Sequence, residues 1–212
     1  MVKMAKFPDQ GNSVLRRFAP IYLGRHAYTM NWFAVSLVFG FVALFGSATA
    51  DQRDARLVKL FERLHRSEDI REIVHLQSDI WSIWTESADE ESNALMYDGL
   101  LAMRGKRHEV ALEFFDALVK HDPDFAEGWN KRATVLYLLG RYEGSIADIK
   151  QVLALEKRHF GALSGLGLCY EALGDEVAAV KAYQLALEAN PHLNSLPAKI
   201  ERLRKAIQRK NI

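Results

Sequence analysis

Three stretches of this chain repeat one another at a spacing of 34 residues, in register, beginning near Ser92, Ala126 and Phe160. A fixed period of that length constrains the fold more than any single motif, because each unit is too small to bury its own apolar face and must stack on its neighbours. The register also describes one unit. Position four holds Leu95, Trp129 and Leu163; position eight holds Gly99, Ala133 and Gly167; position eleven holds Ala102, Leu136 and Tyr170. Position twenty holds Ala111, Ser145 and Ala179, and position twenty-four holds Phe115, Ile149 and Tyr183. Small residues at eight and large ones at twenty-four let two helices touch closely, knob opposite hole. Gly140 and Gly174 mark turns between paired helices, and Pro123 and Pro191 close the first and third units, since glycine ends a helix and proline cannot continue one.

On these residues the chain resembles the tetratricopeptide repeat (TPR) family, most plainly in AEGWNKRATVLYLLGRYEGSIADIKQVLAL and ALSGLGLCYEALGDEVAAVKAYQLALEANP. The departures are Lys106, where the first unit should have its turn glycine (Gly105 comes one place early), and Lys157, where the second should have proline. The resemblance implies an all-α fold, a right-handed solenoid of three helical hairpins over residues 92–125, 126–159 and 160–193, with capping helices at both ends. After Pro197 the segment AKIERLRKAIQRK puts Ile200, Leu203 and Ile207 on one face and bases elsewhere, as a solvating cap over 194–212. Upstream, Leu57, Leu60, Phe61 and Leu64 follow i, i+3, i+4, i+7 spacing, and Ile70, Ile73, Val74, Ile80, Trp81 and Trp84 form a second helical pattern. This predicts a degenerate helix pair within 51–91 that covers the first repeat, its second helix capped by Ser67.

The N-terminus reads differently. From Trp32 to Phe45 runs an uncharged apolar stretch, preceded by Arg16, Arg17 and Arg25 and followed by Gly46-Ser47-Ala48-Thr49-Ala50, where Ala48 and Ala50 make an A-x-A cleavage site. Residues 31–50 are therefore a secretory signal, with mature protein from Asp51, or an uncleaved anchor of about the 20 residues that span a bilayer. The leader, 1–30, has no amphipathic period, and Met30 offers a second start. From the first methionine, either reading exports the helical part, because the arginines stay inside. The segment IWSIWTES joined to the repeats is similar to periplasmic TPR proteins of alphaproteobacteria. A periplasmic location follows from that resemblance, with an inner-membrane anchor as the alternative and membrane contact only if the segment is uncleaved.

In the family, the first helix of each hairpin lines a concave groove through positions two, five, nine, twelve and thirteen. Carried over in register, the candidate groove residues are Met96, Met103, Arg104, Asn130, Thr134, Tyr137, Ser164 and Glu171. Methionine suits an adaptable apolar contact and arginine can pair a carboxylate; the methionines also fit plain packing against the N-terminal helix pair. Chaperone-binding members hold a C-terminal carboxylate with lysine at position five and asparagine at nine. Here those places are Met96 and Leu100, then Asn130 and Thr134. The implied function is binding a protein or peptide partner by groove, without catalysis.

Charge agrees with this. Net charge is +1, too balanced to neutralise nucleic-acid phosphates. The first fifty residues hold five bases and one acid, which leaves 23 bases and 26 acids for the rest. The single cysteine, Cys169, excludes an internal disulfide and reads as a buried, inert thiol. His121, His159 and His192 lie near repeat junctions, about one repeat apart, and read as solvated loop residues; His65 and His75 have no zinc spacing. Gly165-Leu166-Gly167 lacks the strand and lysine of a phosphate loop, and Asp89, Glu90 and Glu91 read as a solvated linker. No cofactor, metal or catalytic constellation is expected.

Overall fold

Each repeat turns at the same kind of corner, and the corner explains where the helices stop. The computed structural model describes residues 52–210; the leader, the apolar run and its cleavage motif lie outside the described residues. Nine helices and no strand occur among the described residues: α1 (Arg56–Arg66), α2 (Ile70–Thr85), α3 (Glu90–Arg104), α4 (His108–His121), α5 (Ala126–Leu138), α6 (Tyr142–Leu155), α7 (Phe160–Ala172), α8 (Glu176–Ala189) and α9 (Leu196–Lys210). The Arg107 N–H donates to the Ala102 carbonyl, Arg141 to Leu136 and Asp175 to Tyr170, at 2.8–2.9 Å, closing three equivalent helix ends. That closure needs one residue in the left-handed region. Gly140 (φ 73°) and Gly174 (φ 77°) supply it, and Lys106 (φ 56°) takes the same place in the first repeat. Gly105, at φ −77°, does not.

Within a repeat the two helices touch through the expected pair of positions. A β-carbon on Gly99 would lie 2.5 Å from the Phe115 ring, and one on Gly167 would overlap the Tyr183 ring. Between repeats, the third and tenth positions of α5 and α7 press on the helix before. Gly128 lies against Leu118, where a β-carbon would meet it at 3.1 Å, and the Cys169 thiol donates to the Ser145 hydroxyl at 3.2 Å. At the C-terminal end α9 packs on α8 with Leu196, Ile200 and Leu203 buried.

The N-terminal hairpin is present but lies elsewhere than on the first repeat. Its residues Leu57, Phe61, Leu64, Leu76, Ile80, Ile83 and Trp84 share one core with Phe160 and Leu163 of the third repeat. Polar contacts follow the inter-repeat loops in order. The Gln52 side chain donates to the Asp124 carbonyl (2.5 Å) and accepts from the Ala126 N–H (3.3 Å); His65 meets the Glu188 carbonyl and His192 the Leu64 carbonyl, each at 2.8 Å. The hairpin is thus a strap along the edge where repeats join. Large aromatics decide this, since Phe61, Trp81 and Trp84 find Phe160 at 5.1–6.4 Å between centroids. The cap of α2 also differs from expectation. Asp69 accepts from the Arg71 N–H, while the Ser67 hydroxyl donates to Glu72.

Candidate functional site

The first helices of the hairpins, α3, α5 and α7, carry the concave register, and α5 faces α7 through residues spaced four and three apart. Asn130, Thr134 and Tyr137 from α5 and Gly161, Gly165 and Leu168 from α7 line a pocket of about 70 Å³. The Thr134 hydroxyl donates to the Asn130 carbonyl at 2.8 Å, so its methyl is turned by its own helix. Tyr137 is half-buried with its ring 5.5 Å from Tyr142, and burial pushes its phenol up from the ordinary value. The glycines of α7 keep the opposite wall flat.

The other candidates separate. Met96 is 4% exposed and packs in the first-repeat core with Phe115, so it is not a groove residue; Met103 leans on the same core. The methionines pack within the repeats and not against the N-terminal hairpin. Arg104 is exposed and Ser164 is half-buried, donating to the Phe160 carbonyl at 2.8 Å; neither lines the pocket. Glu171 has structural partners instead of an open groove. It accepts from the Tyr183 hydroxyl (2.5 Å) and pairs with Lys199 (3.2 Å) and Arg202 (2.5 Å), tying α7 and α8 to α9. Burial works to raise the Glu171 carboxyl, and the Tyr183 hydrogen bond with the two cations outweighs it, leaving it below the usual range.

A second, buried polar cluster adjoins the pocket through Asn130. Glu127 is fully buried, accepting from Asn130 (2.9 Å) and from His159 Nε2 (3.0 Å), with the Lys131 ammonium 2.7 Å away. Desolvation pushes its carboxyl up, but the Lys131 charge and the His159 hydrogen bond more than offset that and hold it below the ordinary value. His159 Nδ1 accepts from the Ala162 N–H at 3.1 Å, so the imidazole caps α7 and carries its proton on Nε2. His159 is therefore no solvated loop residue, and His192 is held by Leu64. Trp81 covers the cluster: Lys131 Nζ lies 5.5 Å from its centroid, and a β-carbon on Gly161 would lie 2.6 Å from its ring. The sequence signal was Gly161 itself, the smallest residue at a groove position, which marks a close approach.

Cys169 is fully buried, and burial pushes its thiol up. A wider cleft of about 420 Å³ opens between α1 and α2, but its arginines are engaged, Arg56 by Asp54 and Arg63 by Glu72. Among the described residues no group of three His, Cys, Asp or Glu could hold a metal ion, and no helix is long and apolar enough to cross a membrane.

This architecture matches proteins of known fold and sequence. The profile of the family described as tetratricopeptide repeat matches residues 99–154 and again 130–194. A TPR repeat-containing protein of Rhizobium etli is 37% identical over 136 residues, 64% of this chain and 67% of that protein. DnaJ homolog subfamily C member 7 of Mus musculus is 26% identical over 52% of this chain, which spans only 22% of its length. Among solved structures, the first TPR of Spaghetti bound to an HSP90 peptide superposes with TM-score 0.55 at 19% identity, over 56% of this chain and 94% of that one. The Yersinia enterocolitica type III secretion chaperone SycD, in complex with a peptide of the translocator YopD, gives 0.53 at 16% identity, over 59% and 98%.

Proposed function

The chain belongs to the tetratricopeptide repeat family, and from that premise we propose that it is a non-catalytic adaptor whose concave face holds a peptide or helix of a partner protein. The observation that carries this is the facing of Asn130, Thr134 and Tyr137 on α5 against Gly161, Gly165 and Leu168 on α7, an aromatic and a hydroxyl over a glycine-flattened wall. Similar folds are seen with peptides bound, in Spaghetti and SycD. The partner here differs in chemistry from a chaperone tail, because Met96 and Leu100 stand where carboxylate-clamp members carry lysine and asparagine.

The test is capture by the intact chain from extracts of its own cells, beside a Thr134→Arg, Tyr137→Ala variant that stays folded. A protein held by the native chain and lost by the variant supports the groove; one held equally by both overturns it. We place the adaptor in the bacterial envelope: the arginines, the apolar run 32–45 and the A-x-A motif support export, and the resemblance to periplasmic TPR proteins of alphaproteobacteria supports the bacterial setting. The same run also supports a second reading, a membrane-anchored assembly factor. N-terminal sequencing of the fractionated protein distinguishes them: a chain beginning at Asp51 in the soluble envelope fraction means a free adaptor, and one retaining Trp32 to Phe45 in membranes means an anchored one.

A further inference from the structure

Among the described residues, one apolar face of the solenoid has no helix over it. In the second and third repeats and in α9, the third and tenth positions of the first helix are buried under the preceding helix: Gly128 and Val135, Ala162 and Cys169, Leu196 and Leu203. In α3 the same positions are Ala94 and Leu101, and both are exposed, Leu101 by 45%, with Tyr97 between them exposed by 67%. The strap position of the N-terminal hairpin is the reason, since it leaves the end of the array for the edge. The opposite end is closed by α9, whose outward side carries Glu201, Arg204, Lys205 and Arg209 and needs no cover.

We propose that the open face of α3 is a self-association surface, pairing with α3 of a second copy of this chain in antiparallel orientation. The face is self-complementary only in that sense. Exposed residues Glu91, Ala94, Tyr97, Leu101 and Arg104 follow spacings of three, three, four and three along one stripe, and Tyr97 is the middle residue of Glu90–Arg104. A two-fold axis between Tyr97 and Asp98 sets Leu101 over Ala94 of the second copy and Arg104 beside Glu91, at both ends of the contact. Small opposite large lets the helices approach, and opposite charges close the rim. Within the chain Glu91 has only His121, 3.7 Å away, and Arg104 has no ion pair among the described residues. Parallel pairing sets Glu91 on Glu91 and Arg104 on Arg104, so charge selects the antiparallel form. An interface of one helix per copy is small and gives a weak, concentration-dependent dimer.

The test is disulfide trapping of the full-length chain in a mild non-ionic detergent that keeps residues 32–45 from clustering. The native protein is the background control, because its Cys169 is buried. Ala94→Cys and Leu101→Cys proteins, mixed and then mildly oxidised, are expected to give cross-linked dimer several-fold above either variant alone, and Tyr97→Cys to cross-link by itself. Adding Leu101→Glu to Tyr97→Cys should abolish the product. In the same background Glu91→Arg should suppress it and the double reversal Glu91→Arg, Arg104→Glu should restore it, with far-UV circular dichroism showing each variant folded. No dimer in the mixture, equal yields from the mixture and the single variants, or a product that survives Leu101→Glu overturns the proposal; the last would mean association through another surface.

Discussion

The Trp84 indole lies flat on the His159 imidazole, ring centroids 4.1 Å apart and planes 11° from parallel. His159 is also the residue whose Nδ1 caps α7 and whose Nε2 donates to Glu127, so one stacked contact joins the N-terminal strap, a repeat junction and the buried polar cluster. Trp84 is 1% exposed, and truncating it removes most of the strap's hold. Trp84→Ala should cost roughly 3–5 kcal/mol, the usual range for deleting a buried aromatic. Hydrogen exchange should show the amides of α1 and α2 opening before those of α6 and α8. Uniform loss of protection along the whole chain would instead make the strap inseparable from the repeats.

Lys106 occupies the left-handed corner that Gly140 and Gly174 fill in the other repeats. A residue with a β-carbon is strained there by about 1–2 kcal/mol, partly offset by the greater unfolded-chain freedom of glycine. Lys106→Gly should therefore raise stability by about 0.5–1 kcal/mol, and Gly140→Ala and Gly174→Ala should lower it, each read from urea midpoints at unchanged slope. A loss of stability in Lys106→Gly would show that the lysine side chain matters more than its backbone.

The repeats were legible because their physics is local and periodic. Gly99 with Phe115 and Gly167 with Tyr183 could be paired from spacing alone, and the structure places them in contact. The strap was not legible in its position. Leu57, Phe61 and Trp84 announce an apolar face by their period, but which surface that face meets depends on partners about 75–100 residues away, such as Phe160 and His159. The candidate site was read in part. Asn130, Thr134 and Tyr137 meet at one pocket, whereas register alone cannot tell that Met96 is turned into the core or that Glu171 is held by Tyr183, Lys199 and Arg202. His159 departs from the expected solvated state because a histidine near a loop is usually wet, whereas here two tryptophans brought over it from the strap and the buried Glu127 keep it dry.

The close approach at the eighth position makes a sharp claim about volume. Gly99→Ala and Gly167→Ala drive a methyl into the Phe115 and Tyr183 rings, which are themselves fully buried and have little room to move. Overpacking of this kind costs about 1–3 kcal/mol. Pairing Gly167→Ala with Tyr183→Leu should recover part of the loss, despite removing the hydrogen bond to Glu171. Melting temperatures of the two single variants and the pair decide this: strict additivity would mean that the methyl and the ring do not compete for the same space.

Acid should unfold this protein through named carboxyls. Glu127 and Glu171 are both held below the ordinary carboxyl value of 4.5, Glu127 by Lys131 and His159 and Glu171 by Tyr183 and the cations of α9, each against the opposing effect of burial. A carboxyl with a lower value in the folded state binds protons more weakly there than in the unfolded chain. Its stabilisation is therefore complete above the unfolded value near 4.5 and is lost as pH falls through the folded value. Stability should change little on account of these groups between about pH 7 and about pH 5, then fall steeply. Glu127→Gln keeps the shape but loses the charge beside Lys131, so it should be weaker than the native chain by about 1–3 kcal/mol near neutrality and show a shallower acid slope. Urea midpoints from about pH 7 to about pH 3 for both proteins measure this. The two curves should converge at low pH, because protonated Glu127 has lost what the glutamine lacks; parallel curves would mean that the buried carboxyl contributes nothing to acid sensitivity.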